Sequence, residues 1–91
     1  DTAGLTAWAA DVGRDAGRCD VLVNCAGITR FVPHADLDAL DDALIDDIFR
    51  TNWRGAFAAV RAFRPLLAAS GDGLVVNISS IAGVTGMGSN V

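Results

Sequence analysis

The chain has 91 residues, of which 52% are hydrophobic and 20% are charged, and its formal net charge is −4. A chain of this length forms one domain at most, and scattered arginines on a negatively charged chain argue against nucleic acid or an anionic membrane as a partner. Because no apolar run could span a bilayer and no basic segment followed by an apolar one opens the chain, we expect a cytoplasmic protein with no membrane partner.

The first predicted element is a helix over residues 1–17. Asp1 or Thr2 can cap it, and Gly17 can end it. Its apolar face comprises Leu5, Trp8 and Val12.

A short strand follows over residues 20–24, whose apolar run is typical of a strand buried on both faces. Cys19 and Cys25 flank it without CxxC spacing or a pair of histidines. A metal site is therefore not expected, and we interpret both residues as reduced, mostly buried thiols.

A long helix is predicted next, capped by Asp36 or Asp38 and ending near Ser70-Gly71. Aspartates occupy its early half and arginines its later half, which is the order that the helix dipole favours. Its apolar positions recur at helical spacing and are Leu37, Leu40, Leu44, Ile48 and Trp53. A second apolar strand over residues 74–78 and a Ser/Gly-rich loop over residues 79–91 complete the chain.

The order helix, strand, long helix, strand predicts the α/β class, with a right-handed βαβ unit in a doubly wound parallel sheet of the Rossmann type. The chain begins at Asp1 rather than methionine and ends at Val91 inside a Gly-rich stretch. We therefore interpret residues 1–91 as the central portion of a single domain, truncated at both ends and about one third of its length.

In such sheets ligands bind beyond the carboxyl ends of the strands. After the first strand, Asn24 places an amide at the strand end, and the small residues Ala26 and Gly27 would allow a planar or sugar-like ligand to approach the backbone closely. A tight turn alone explains these residues more simply. After the second strand, Ser79 and Ser80 are candidates for a polar site, although turn chemistry or helix capping is again the simpler interpretation. The only histidine, His34, lies in a polar loop, so a hydrolase triad is not favoured.

Asn52 and Gly55 interrupt the long helix with poor helix formers. Such violations gather at functional or tightly packed sites, so Asn52 could bend the helix or offer its amide or a freed backbone group to water. Alternatively, Gly55 allows close packing of the helix on the sheet and Asn52 is merely half buried.

Three segments together resemble the short-chain dehydrogenase/reductase family in order and spacing. DVLVNCAG is similar to the family's NNAG motif, TNWRGAF to its NxxGxF segment and VVNISS to the motif of its catalytic serine. The resemblance implies a cofactor, NAD or NADP, with Asn24 supporting the sheet and with Ala26 and Gly27 lining the adenosine side. It also implies that Asn52 holds a proton-relay water and that Ser80 hydrogen-bonds the substrate oxygen. Cys25 departs from the commoner asparagine.

The implied activity is hydride transfer between the cofactor and a small-molecule carbonyl or alcohol substrate, in a homodimer or homotetramer whose interface includes the long helix. The family's TGxxxGxG turn would precede Asp1 and its YxxxK motif would follow Val91, and the chain contains no tyrosine. Residues 1–91 alone are therefore expected to be inactive. Two alternatives are a non-catalytic dinucleotide-binding module and a purely structural role for the long helix.

Overall fold

A computed structural model gives the structure of the chain and describes residues 1–86. Its main elements are α1 (Thr2–Asp15), β1 (Val21–Asn24), α2 (Asp42–Phe49), α3 (Gly55–Ser70) and β2 (Leu74–Asn77). Residues Arg50–Arg54 form a π-helical turn between α2 and α3, and 3₁₀ turns span Leu37–Ala39 and Ile81–Gly83. The predicted α/β order is confirmed. The final part of the predicted Ser/Gly-rich loop, residues 87–91, lies outside the described residues.

The two strands are parallel neighbours, in the register that pairs Val21 with Leu74 and Asn24 with Asn77. The ladder extends just past the strand ends, since the Ile78 amide donates to the Asn24 carbonyl at 2.9 Å. A parallel pair needs a crossover connection, and α2, the π-helical turn and α3 provide it.

The core lies between one face of the sheet and the two longer helices, α1 and α3. Phe63 is 2% exposed, and its ring meets that of Trp8 edge to face at a centroid distance of 4.8 Å. Leu22 contributes the buried side chain of β1, whereas Val21 and Val23, on the other face, are more than half exposed. Among residues 1–86, apolar side chains are therefore buried on one face of the strands only.

The start of the long helix differs from the prediction. Asp41, not Asp36 or Asp38, is its N-cap, and the Asp41 carboxylate accepts the Leu44 amide at 2.9 Å. Leu40, with ψ near 78°, separates the 3₁₀ turn at Leu37–Ala39 from the helix. The predicted caps were wrong because several aspartates in this stretch can cap a helix, and the backbone at Leu40 decides among them.

Both cysteines are free thiols, as predicted. Cys19 is half-buried, but Cys25 is exposed, so the prediction that both are mostly buried was wrong for Cys25. The reason is that Cys25 lies one residue beyond the end of β1, where the backbone has left the packed sheet.

Neither a cluster of metal-ligating side chains nor a membrane-spanning helix is present in residues 1–86. No group of three or more His, Cys, Asp or Glu side chains is placed there to hold a metal ion. Within the same residues, no helix combines the length and the apolar character needed to cross a membrane.

Gly73 allows the turn between α3 and β2 to pass close to the helix. A Cβ at this position would lie 2.7 Å from the Leu67 carbonyl oxygen, so Gly73→Ala forces backbone to move. We expect the free energy of unfolding of the complete gene product to fall by about 1–3 kcal/mol in urea denaturation. Gly86→Ala, with open space around its Cβ, is the matched control; equal effects of the two substitutions would contradict the packing explanation.

Candidate functional site

The carboxyl ends of β1 and β2 lie side by side, and the chain leaves both strands at the same edge of the sheet. The segment after β1 contains Ala26 and Gly27, and the segment after β2 contains Ser80. The π-helical turn contains Asn52 and is hydrogen-bonded to the segment after β1. Hydrogen bonds thus connect the three predicted motifs.

Asn24, the last residue of β1, makes two of these connections. Its side-chain nitrogen donates to the Asn77 side-chain oxygen at 2.9 Å and to the Ala56 carbonyl at 3.4 Å. Asn77 is the last residue of β2, and Ala56 lies in the first turn of α3. Asn24 therefore ties both strand ends to the start of the helix.

Asn52 holds the segment that follows β1. Its side-chain oxygen accepts the Ile28 amide at 2.7 Å, and its side-chain nitrogen donates to the Ile28 carbonyl at 2.8 Å. Both backbone groups of Ile28 are thus paired with one side chain. Ile28 belongs to no strand or helix, so Asn52 supplies the partners that a ladder would otherwise give to its backbone.

The helix is widened where Asn52 lies. The Gly55 amide donates to the Arg50 carbonyl, five residues earlier, in place of the four-residue spacing of an α-helix. Single π-helical turns within an α-helix occur often at functional sites. The predicted irregularity at Asn52 is therefore present. Of the alternatives left open for its side chain, neither a half-buried position nor an amide offered to water describes it: the side chain is exposed and binds the Ile28 backbone.

Ser80 precedes the 3₁₀ turn at Ile81–Gly83 and caps it. The Ser80 hydroxyl oxygen accepts the Ala82 amide at 3.1 Å. Accepting this bond uses a lone pair of the oxygen and not its hydrogen, so the hydroxyl can still donate. Within residues 1–86, Ser80 is not hydrogen-bonded to Asn52, so the structure does not join the two predicted catalytic residues directly.

A cavity of about 470 Å³ opens beside the end of β1, between the N-terminal parts of α1 and α3. Asn24 and Ala26 are on its wall, and Leu5 and Trp8 supply apolar surface from α1. Gly27 is exposed next to it, and a Cβ there would lie 3.6 Å from the Asn52 side-chain oxygen. This mostly apolar, small-residue wall can accept a flat ring system.

A second surface lies on the exposed side of the long helix. Trp53 and Phe57 stack with their rings 4° from parallel and 6.1 Å apart, and the Arg61 guanidinium lies 5.6 Å from the Phe57 ring centre. Phe49 continues the row, and Asp46 adjoins it. We call this row the aromatic stripe: Asp46, Phe49, Trp53, Phe57 and Arg61. Its three rings are all more than half exposed.

Sequence reasoning missed two parts of the site. Asn77 appeared only as a letter in VVNISS, yet it accepts the cross-strand bond from Asn24. Trp53 was predicted on the apolar face of the long helix, but it is 66% exposed. A signal for Asn77 existed, because an asparagine ends each of two similar strands, and parallel pairing in register brings such side chains together.

Comparison with known proteins gives one family. The profile of the family described as short chain dehydrogenase matches residues 1–91. The inferred ketoacyl reductase 2 of the granaticin polyketide synthase from Streptomyces violaceoruber is 49% identical over 75 residues. That match covers 82% of this chain and 30% of the relative.

Solved structures agree. A protein assigned to the short-chain dehydrogenases/reductases from Burkholderia xenovorans has a TM-score of 0.92 and 37% identity, over 99% of this chain and 38% of that protein. A metagenomic short-chain oxidoreductase in complex with NADP has a TM-score of 0.78 and 36% identity, over 91% of this chain and 36% of that protein. The chain thus spans roughly a third of the length of these proteins, all of which share its fold.

Proposed function

Since this chain belongs to the short-chain dehydrogenase family, we propose that its gene product transfers a hydride between NAD or NADP and the carbonyl or alcohol carbon of a small-molecule substrate. The observation that carries the proposal is the hydrogen-bonded junction of three segments at the carboxyl edge of the sheet. Asn24 links both strand ends, and Asn52 fixes the segment containing Gly27 and Ile28. Residues 1–91 are proposed as the central portion of one NAD(P)-binding domain.

The described residues fit the adenosine part of such a cofactor. Ala26 lies on the wall of the cavity beside β1, Gly27 is exposed next to it, and Leu5 and Trp8 offer apolar contact to a base. We propose Asn24, Ala26 and Gly27 as the cofactor-binding residues, with Asn24 acting by supporting the wall. The bound cofactor supplies or accepts the hydride.

Ser80 is proposed to bind the reacting oxygen of the substrate. Its hydroxyl oxygen accepts the Ala82 amide, and its hydrogen can still be donated to a substrate oxygen. A donor placed at an oxygen that gains negative charge during carbonyl reduction stabilises the transition state more than the ground state. The proton that this oxygen receives comes, in this proposal, from the tyrosine of the family's YxxxK motif, which residues 1–91 do not contain.

Asn52 is proposed to act in two ways. Its side chain fixes the backbone of Ile28. The π-helical turn around it interrupts the regular hydrogen bonding of the helix, which lets a backbone group of the turn bind a water. Because the Asn52 side-chain amide is bound to Ile28, a backbone group of the π-helical turn would bind the relay water that the family resemblance implies. Asn52 is thus a positioning residue for the wall and a candidate to hold the water.

The test is cofactor oxidation by the complete gene product. We expect carbonyl substrates, among them a 3-ketoacyl thioester, to cause saturable loss of the reduced-nicotinamide absorbance. The thioester is included because one relative is named a ketoacyl reductase. Tight cofactor binding without turnover on any carbonyl or alcohol would favour the non-catalytic dinucleotide-binding module instead.

We further propose a homodimer, alone or within a homotetramer, in which a second copy packs on the aromatic stripe. The stripe is acidic at Asp46, aromatic in the middle and basic at Arg61. Trp53 lies midway along a stripe roughly 22 Å long. A two-fold axis near Trp53 would place Asp46 of each copy opposite Arg61 of the other, so the surface is complementary to itself. The cytoplasmic location and the absence of nucleic-acid and membrane partners stay predictions.

Trp53→Glu tests this assembly. It places two carboxylates near the proposed axis, so we expect the dimer dissociation constant to rise by about 30-fold or more in sedimentation experiments, as for loss of a central tryptophan. Leu37→Glu, at an equally exposed apolar residue off the stripe, should leave the dimer intact. Arg61→Glu should weaken the dimer, and the double variant that combines Arg61→Glu with Asp46→Arg should restore it. A strictly monomeric wild-type protein would contradict the proposal.

A further inference from the structure

Asn77 is the last residue of β2, where the paired part of the two strands ends. The strands pair in register up to Asn24 and Asn77, and the Asn24 carbonyl accepts one further amide from Ile78. Beyond that point the chain departs into the segment with Ala26 on one side and into the Ser80 turn on the other. The side-chain bond from Asn24 to Asn77, at 2.9 Å, and the Ile78 amide bond are the cross-links at the strand ends, next to both segments.

Only two residues, Ile78 and Ser79, separate Asn77 from Ser80, and their backbone is neither strand nor helix. Ser80 itself is extended, with φ −136° and ψ 152°, and it caps a turn of three residues. The turn is held locally by the Ala82 amide bond to Ser80 and by the Gly83 amide bond to the Ser80 carbonyl at 3.0 Å. Its position relative to the cofactor wall is therefore set by the strand end at Asn77.

We propose that Asn77 is a positioning residue that sets the separation between Ser80 and the wall at Ala26 and Gly27, acting through Asn24. This inference rests on the proposed hydride transfer. Hydride transfer requires the two reacting carbons to approach within roughly 3–3.5 Å, and a displacement of about 1 Å can cost about 100-fold in rate. The Asn24 side-chain amide also donates to the Ala56 carbonyl, so loss of the Asn77 oxygen leaves that side chain with the bond to α3 and removes its bond to β2.

The test uses the complete gene product and three substitutions. Asn77→Leu has similar size but no acceptor, and Asn77→Asp keeps an oxygen facing the Asn24 amide. Asp72→Leu is the matched control, since Asp72 is exposed in the turn before β2 and, among residues 1–86, its side chain forms no hydrogen bond with either strand end. Each variant is assayed for kcat, for cofactor dissociation constant and for the deuterium isotope effect on kcat with a labelled reduced cofactor.

We expect Asn77→Leu to lower kcat by about 10- to 100-fold. The cofactor dissociation constant should stay within about threefold of wild type. The isotope effect on kcat should increase, because hydride transfer becomes slower than product release. Asn77→Asp should retain kcat within about threefold, since the acceptor is preserved. If Asn77→Leu fails to fold, Asn77→Ser takes its place, because its shorter hydroxyl cannot span the 2.9 Å bond from an unmoved backbone.

Three results would overturn the positioning role: unchanged kcat in Asn77→Leu or Asn77→Ser, equal losses in the leucine and aspartate variants, or cofactor affinity falling as much as kcat. Failure of the proposed function is distinguishable from all three. In that case the wild-type protein itself shows no hydride transfer, whichever residue occupies position 77.

Discussion

Replacing Ser80 by alanine is expected to lower kcat of the complete gene product by about 10²–10³-fold, the usual cost of removing one donor to a developing oxyanion. The structure supplies the reason. The Ser80 oxygen accepts the Ala82 amide at 3.1 Å, so the hydroxyl hydrogen can serve the substrate. Because the donated bond strengthens as charge develops, we expect a larger effect on kcat than on KM in steady-state assays.

Ser80→Ala also removes the cap of the turn at Ile81–Gly83, so two further variants separate the roles. Ser80→Asp keeps an oxygen for the Ala82 amide but has no hydrogen to donate at neutral pH, and it should remain inactive. Ser80→Thr keeps both functions and should retain most activity. Ser79→Ala removes the adjacent hydroxyl, and its kcat should stay within about threefold of wild type. A large loss of kcat in Ser79→Ala with little loss in Ser80→Ala would show that Ser79, not Ser80, has the catalytic role.

Replacing Asn52 by leucine is expected to lower kcat/KM by about 100-fold, since a shift of about 1 Å in a positioned segment costs this much. The substitution removes both bonds to Ile28, at 2.7 Å and 2.8 Å, and leaves that backbone unpaired. The segment carrying Gly27 is then free to move away from the π-helical turn. The measurement combines steady-state kinetics with hydrogen exchange of the Ile28 amide, which should exchange faster in the variant.

Asn52→Asp is the informative comparison for Asn52→Leu. It keeps the acceptor for the Ile28 amide but sets a carboxylate oxygen against the Ile28 carbonyl. We expect intermediate activity and an Ile28 amide that is still protected. Fast exchange at Ile28 with unchanged kinetics in Asn52→Leu would show that the side chain serves the fold and not the reaction.

The fold was predictable because its signals are local and periodic. Two apolar runs separated by a long helical pattern predicted β1, β2 and their parallel pairing, and the structure confirms them. Asp1 and Gly17 marked the limits of α1, with Asp1 as the N-cap and Gly17 in a left-handed conformation just beyond the end. The start of α2 was misplaced, because several aspartates compete as caps and only the backbone at Leu40 selects Asp41.

The site was predictable as a set of segments, but its contacts were not. Spacing brought Asn24, Asn52 and Ser80 into one pattern, yet which atoms they bind depends on how the segments meet in space. The π-helical turn accompanies a pair of bonds to Ile28, which is 24 residues away in sequence. The exposure of Trp53 has a simpler reason: it follows Phe49 and precedes Phe57 by four residues each, and both of these side chains are exposed on the same face of the helix.

The central claim is that the three joined segments serve hydride transfer. The most direct measurement incubates the complete gene product with reduced cofactor deuterated at the transferable position and with a carbonyl substrate, and then locates the label by mass spectrometry. We predict that the label appears on the carbinol carbon of the product and that Ser80→Ala slows its appearance. Cofactor binding without transfer of the label to any carbonyl substrate would contradict the claim.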